Sequence, residues 1–346
     1  MEEAVEGQWE AEIWPGMDSD GPRLVEGKSC WLHPALAAVE MADKGRGVVA
    51  QTAVAEGALG AAETPLAACL LWDQSHCDEC GRPVGEETAP EECAGCQETW
   101  CSVDCRRRAA VHHWLECRQP FAVVGAPGGI YCLCFRIYLS TPAGLRDLWE
   151  RRKRPSQPDT PLSEMLASEE DRVRLSASLP DHRESNRSWD AWPDVVRRVK
   201  FLSKAIRARF LAAEGACSPS RQRIQRQLLH VLMVGYTNTF TVYRQLEPAG
   251  LGSTPCKVVG SGLYPAVSLL NHSCLPNTTR HFDGTKMVMR AIRALVPGEE
   301  LTTTYGTNPK YQLTYQRREA LHTWRFVCGC AEACGNADWK TPEAEY

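Results

Sequence analysis

"LLNHSCLPN", residues 269–277, sets two leucines directly against Asn271, His272, Ser273 and Cys274, with a proline close behind. Leucines ask for burial, and polar side chains are costly to bury unless each finds a partner. A helix C-terminus running into a turn gives such a run. So does a buried polar knot that holds a ligand and offers a cysteine to a metal. The rest of the chain has to decide between them.

With 346 residues, 43% of them hydrophobic, the chain can form a sizeable core in one large or two ordinary domains. A formal charge of −4 gives no polycation for nucleic acid. No apolar run approaches a membrane span. The start, "MEEAVEGQWEAEIW", lacks the basic and apolar regions of a secretory signal and reads as a leader over 1–30. Seventeen cysteines without such a signal favour metal binding over disulfides. Eleven fall into two patterned groups; the scattered Cys30, Cys69, Cys132, Cys134, Cys217 and Cys256 read mostly as small buried hydrophobes.

Gly-rich turns between Val- and Ala-bearing segments predict small strands over 31–72. Thr141 and Pro142 read as an N-cap and first helical position. Val195, Val199, Leu202, Ile206 and Phe210 recur at helical spacing, as do Ile224, Leu228 and Leu232. Residues 153–190, polar and holding Pro155, Pro158 and Pro161, read as a loop. "KMVMRAIRALVPGEELTTTY" gives two strands about the turn Pro297–Gly298, and a short helix follows around 311–324.

The cysteine-dense block reads Cys77-x2-Cys80, Cys93-x2-Cys96, Cys101-x3-Cys105 and His113-x3-Cys117. Each pair can point two ligands at one tetrahedral ion, and eight ligands make two closed structural zinc sites. His112 is the spare and reads as a solvent-exposed helix residue. The block resembles a MYND zinc finger over its whole length. That resemblance implies interleaved sets: Cys77, Cys80, Cys101 and Cys105 on one zinc, and Cys93, Cys96, His113 and Cys117 on the other. It also implies binding of short proline-containing peptides of partner proteins. Arg106, Arg107 and Arg108 are either a basic face for such a partner or a solvated helix surface. The twelve residues between Cys80 and Cys93 exceed the family's usual gap and predict a protruding loop.

"KGRG" at 44–47, "GSGLYPAVSLLNHSCLPNT" at 260–278 and "GEELTTTYG" at 298–306 together resemble the SET domain of protein lysine methyltransferases. With the finger inserted between the first piece and the others, the chain resembles the SET- and MYND-domain family from about residue 31 to 335. The implied fold is α+β: a SET β-fold with a pseudoknot, the inserted finger, a helical insert and a zinc-binding post-SET segment. The corresponding segments are 1–30 (leader), 31–72 (N-terminal SET part), 77–117 (finger), 118–255 (helical linker and insert), 256–306 (catalytic core) and 307–346 (post-SET).

The resemblance implies S-adenosylmethionine as methyl donor, met by Lys44, Gly45, Arg46, Gly47, Asn238, Asn271, His272 and Phe326. Lys44 would pair with the donor's carboxylate, and Phe326 would stack on its adenine. Tyr305 would set its hydroxyl at the methyl-transfer point. Phe240, Tyr305 and Trp324 would line the substrate lysine channel. Methyl transfer is a direct displacement, so alignment does most of the work. Bringing a lysine of pKa about 10.4 to its neutral form at pH 7 costs about 4–5 kcal/mol. An aromatic channel beside a sulfonium lowers that cost. Aromatic faces then hold the methylated cation. Cys274 would join Cys328, Cys330 and Cys334 in a third zinc site, so the polar knot is the alternative the chain supports.

Two features depart from the family. Cys328-x-Cys330-x3-Cys334 has one residue more than the usual spacing. Trp324 stands where a second tyrosine is usual, and its indole either alters the channel or packs beneath the third zinc. The sequence ends twelve residues past Cys334, which predicts an open substrate cleft without the helical lobe many members carry. The expected protein is a monomeric protein-lysine methyltransferase of nucleus or cytoplasm, and "RRKR" at 151–154 is the one candidate import cluster. The competing reading is a non-catalytic zinc adaptor that recruits transcriptional partners through the finger.

Overall fold

The computed structural model describes residues 29–42, 44–71, 75–85, 90–96, 98–117, 129–150, 160–163, 166–182, 186, 191–214, 219–245, 256–330 and 334. Residues 1–28 of the 1–30 leader, Cys217, the "RRKR" run, Pro155, Pro158 and the last twelve residues lie outside them.

Five strands open the described residues: β1 (Cys30–Leu32), β2 (Leu36–Met41), β3 (Gly45–Ala50), β4 (Leu59–Glu63) and β5 (Ala67–Leu70). The finger follows, with β6 (Glu91–Glu92), β7 (Thr99–Trp100) and helix α1 (Val103–Glu116). Ser102 caps α1, its hydroxyl accepting from the Cys105 amide. The insert brings α2 (Ile130–Ser140), a 3-10 helix (Ala143–Glu150), β8 (Thr160–Pro161), α3 (Glu169–Ala177), α4 (Trp192–Glu214) and α5 (Arg221–Asn238). The last part holds β9 (Thr239–Gln245), β10 (Cys256–Leu263), β11 (Asn271–His272), β12 (Thr278–Asp283), β13 (Lys286–Ala291) and β14 (Glu300–Thr303). Helix α6 (Thr314–Leu321) and a 3-10 turn (His322–Trp324) follow.

The strands form small sheets ordered β1-β4-β13-β12, β5-β10-β9, β11-β14-β3-β2-β8 and β6-β7. Each large sheet mixes strands from before and after the insert, so the two halves of the sequence cannot fold apart. The two strands flanking Pro297–Gly298 do not pair with each other. β13 lies between β12 and β4, and β14 lies between β11 and β3. Gly298 takes the turn at φ +84°, open to glycine at little cost. Val195, Val199, Leu202, Ile206 and Phe210 bury the predicted face of α4, and Ile224, Leu228 and Leu232 that of α5.

Four expectations need correction. The stretch read as a loop over 153–190 contains α3. Its charged composition hid a helix that starts with a capping box between Ser168 and Asp171. A 3-10 helix does begin just after Thr141 and Pro142, at Ala143, but Thr141 also ends α2, and its hydroxyl donates to the Ile137 carbonyl and accepts from the Trp149 indole. Cys69, Cys132 and Cys134 are buried, but Cys30 and Cys256 are only half-buried. His112 is buried at 4% exposure instead of facing solvent. Its ring lies 2.9 Å from Glu116 and 3.5 Å from Glu79. Arg136 of α2 grips the same Glu116 with two bonds of 2.9 and 2.8 Å. This ion knot fastens the finger helix α1 to the insert helix α2. Burial pushes the Glu116 carboxyl up, but Arg136 and His112 outweigh it and hold the group well below the usual carboxylate range.

Candidate active site and metal centres

The stretch 269–277 contains β11, which adds in parallel to the edge of β14, setting Asn271 opposite Thr302 and His272 opposite Thr303. The two leucines are buried at 3% and 2% exposure. Each polar side chain after them has partners. The Asn271 amide donates to the Arg46 carbonyl at 3.1 Å and to Glu300 Oε1 at 2.8 Å. Ser273 Oγ donates to the Leu275 carbonyl. His272 Nδ1 accepts the Tyr305 amide at 3.1 Å, leaving Nε2 toward Cys274 Sγ at 3.3 Å and Thr307 Oγ1 at 3.4 Å. Burial first, then the Arg317 charge, push the imidazole down to about 4, so it stays neutral near pH 7.

The "KGRG" turn lies against this knot. Gly45 sits at φ +72°, the left-handed region glycine favours. A Cβ on Gly47 would come within 2.3 Å of Met41 Sδ and 2.9 Å of Asn271 Nδ2, so only glycine lets the strands approach. Lys44 Nζ pairs with Glu300 Oε2 at 2.6 Å, and its side chain is about half exposed. Arg46 donates to the hydroxyl and carbonyl of Ser178, tying the turn to the end of α3. Asn238 closes α5: its amide donates to Val234, Pro180 and the Thr237 hydroxyl, each at 2.8 Å.

Tyr305, Trp324, Phe326 and His272 form one half-buried aromatic cluster. The Tyr305 ring lies 5.3 Å from His272, 5.2 Å from Trp324 and 6.1 Å from Phe326, the last at right angles. Tyr305 Oη donates to the Leu270 carbonyl at 2.9 Å. Burial, and then the Glu300 charge, push its phenol up to about 12, so it remains a neutral donor. Trp324 spends its indole N–H on the Thr237 carbonyl at 2.8 Å. Phe240, grouped with these rings from sequence, instead has Tyr264 and Arg280 as its ring partners among the described residues.

The twelve metal-ligand candidates gather as three sets of four. They are Cys77, Cys80, Cys101 and Cys105; Cys93, Cys96, His113 and Cys117; and Cys274, Cys328, Cys330 and Cys334. Within each set the ligand atoms lie within 4.8 Å of one another. Tetrahedral zinc with sulfur at about 2.3 Å requires sulfur–sulfur edges of roughly 3.8 Å. Observed edges include 3.6 Å for Cys80–Cys101, 3.8 Å for Cys93–Cys117 and 3.7 Å for Cys274–Cys334. The donor sets therefore fit three structural zinc ions, and the x3 spacing before Cys334 closes the third without strain on its edges. Glu98, 2% exposed, meets His113 Nδ1 at 2.8 Å and turns Nε2 toward the sulfurs of Cys93 and Cys96.

Three supporting residues have no role assigned from the sequence. Glu300 links Lys44 to Asn271, Glu98 orients His113, and Arg317 contacts the third sulfur set. Glu300 carried a signal, alternating with Leu301 along a half-buried strand. The other two become visible only once distant segments meet.

A family model described as "SET domain" matches residues 45–306. The N-lysine methyltransferase SMYD2 of Bos taurus is 25% identical over 262 residues, covering 75% of this chain and 50% of that protein. The histone-lysine N-methyltransferase SET5 of Candida glabrata is 24% identical over 310 residues, covering 83% of this chain and 55% of that one. The histone-lysine N-methyltransferase SMYD3 of Mus musculus is 44% identical over a 73-residue stretch, 21% of this chain and 17% of the relative. A crystal structure of the SET domain of LSMT bound to lysine and AdoHcy is a distant likeness, with a TM-score of 0.36 at 11% identity over 82% of this chain and 51% of that one. The chain spans about half the length of the first two relatives. Its knot, its split sheets and the match over residues 45–306 place it in one family: the chain belongs to the SET-domain family.

Proposed function

We propose that this protein is an S-adenosylmethionine-dependent protein-lysine N-methyltransferase whose finger contacts partner proteins. The observation that carries this reading is the placement of Tyr305. Its neutral phenol is anchored on the Leu270 carbonyl, inside an aromatic cluster and beside a knot with its own polar groups satisfied. When bound, S-adenosylmethionine supplies a methyl group on a sulfonium, which needs no covalent enzyme intermediate.

Gly45, Gly47, Arg46, Asn271 and His272 offer backbone and amide groups for that donor, with Phe326 for its adenine and Asn238 at the adjoining helix end. Lys44 serves the donor's carboxylate by exchanging its Glu300 partner, which is feasible because the ion pair is partly exposed. Tyr305 and Trp324 present aromatic faces that favour a neutral amine on entry and hold the methylated cation after transfer. The channel works by excluding water and orienting the amine, which accounts for the lack of a strong base in the proposed machinery. The finger's ligands are proline-containing segments of protein partners.

The experiment is calorimetric titration of S-adenosylmethionine into zinc-loaded protein, followed by transfer of labelled methyl to protein substrates. Micromolar binding that is lost in Asn271→Ala, with transfer lost in Tyr305→Phe, supports the enzyme. Donor binding without transfer to any protein fraction favours the adaptor reading. One observation supports that second reading: the Trp324 ring closes on Tyr305 at 5.2 Å, narrowing the space for a lysine.

A further inference from the structure

Arg317 lies in α6, outside every motif, and is 3% exposed. Its Nε donates to Cys274 Sγ at 3.3 Å and its Nη2 to Cys334 Sγ at 3.5 Å. The same guanidinium donates to the Gln312 carbonyl at 2.6 Å and to Thr314 Oγ1 at 3.3 Å, which fixes its plane. Cys274 belongs to the knot and Cys334 lies beyond α6, so one planar fork spans two parts of the chain that the metal set and the His272–Phe326 ring contact also join.

Charge explains why a guanidinium belongs there. Four thiolates around one zinc ion carry a net charge of −2, and Cys274, Cys328 and Cys334 are buried. An uncompensated buried charge is expensive. The first finger set, also four cysteines, has a guanidinium at one sulfur too, with Arg108 Nη2 at 2.9 Å from Cys105 Sγ, although that arginine is exposed. The second set replaces one thiolate with an imidazole, lowering its net charge to −1, and its polar support comes from Glu98 instead.

We propose that Arg317 is the positioning residue of the third zinc site. It bridges a knot thiolate and a C-terminal thiolate, offsets their charge, and sets how firmly the metal is held. Through the metal it fixes the segment bearing Trp324 and Phe326 against Tyr305. The proposal concerns zinc and stands apart from the methyltransferase reading.

The test follows zinc release from the full-length, zinc-loaded protein into excess chromophoric chelator. Arg317→Gln and Arg317→Lys are compared with the parent. Loss of a ligand-supporting group weakens metal binding about 10–100-fold. Arg317→Gln should therefore release one of three zinc equivalents at least 10-fold faster and leave the other two unchanged. Arg317→Lys keeps the charge but cannot bridge both sulfurs, so it should fall between. Cobalt substitution gives a signature a merely structural role would not produce: losing N–H···S bonds shifts the thiolate-to-cobalt charge-transfer band. Parent-like release and an unshifted band in Arg317→Gln would overturn the proposal. If that variant does not fold, parent-like release from Arg317→Lys would do the same, since the bridge would then be dispensable.

Discussion

Tyr305 donates its phenolic proton to the backbone carbonyl of Leu270 over 2.9 Å, and so binds the strand that ends in "TTTY" to the run that enters the knot. The hydroxyl is committed to one direction before any substrate arrives. Tyr305→Phe removes one hydrogen bond, which costs about 1 kcal/mol of stability. The orientation and electrostatics it supplies should cost about 100-fold or more in methyl transfer. Donor affinity, measured by calorimetry, should stay within a few-fold of the parent. Full transfer by a correctly folded Tyr305→Phe protein would remove the residue from the mechanism.

Gly47 makes a sharper demand. Alanine there places a methyl group 2.3 Å from Met41 Sδ and 2.9 Å from the Asn271 amide. The flexible Met41 can swing away, but the amide is fixed by Arg46 and Glu300. Gly47→Ala should therefore weaken donor binding at least tenfold and lower the melting temperature as well, because the strands must part to admit the methyl group. Gly45→Ala meets no atom within 4 Å but sits at φ +72°. It should instead lose about 1–2 kcal/mol of stability from left-handed strain. Equal effects of the two substitutions on donor affinity would contradict this division.

Much of this was legible in the sequence because ligand spacing is local. Cysteine pairs at x2 and x3 announced two finger sites, and Asn271, His272 and Cys274 marked the knot. Helical periodicity marked α4 and α5 for the same reason. What stayed hidden depends on segments that meet only after folding. His112 and His113 look alike in sequence. One faces sulfur and the other a buried Glu116, because Arg136 arrives from another helix. Phe240 fits a channel motif, and the edge-on contact of its ring with Tyr264 is one that no motif announces. Helix α3 was masked by five charges in nine residues, although its Ser168–Asp171 capping box was there to be seen.

The ion knot between finger and insert predicts a large, asymmetric cost. Arg136→Met leaves Glu116 buried with His112 and the Cys132 thiol as its partners, and breaking such a pair typically costs 3–5 kcal/mol. The double change Glu116→Leu with Arg136→Met removes both charges and should recover most of that loss. Urea unfolding of the single and double variants measures the difference. A double variant no more stable than Arg136→Met would show that the pair contributes more than the cancelling of buried charge.

Glu63 gives the fold a pH dependence of definite sign. It is fully buried in β4, and its two oxygens accept the amides of Ala266 and Val267 at 3.1 and 3.2 Å, at the entry to the knot. Burial raises its carboxyl to about 7, against the downward pull of Arg172 and the two amides. The folded chain thus holds a proton that the unfolded chain, near the ordinary value of 4.5, has released. This contribution to stability is complete below pH 4.5 and is lost as pH rises through 7, with a slope of at most about 1.4 kcal/mol per pH unit. Glu63→Gln cannot titrate. Its stability should fall less than the parent's between pH 5.5 and 8, even though one amide loses its acceptor at every pH. Urea midpoints for both proteins across that range give the answer. Parallel profiles would mean that Arg172 and the two amides keep Glu63 ionised in the folded chain throughout.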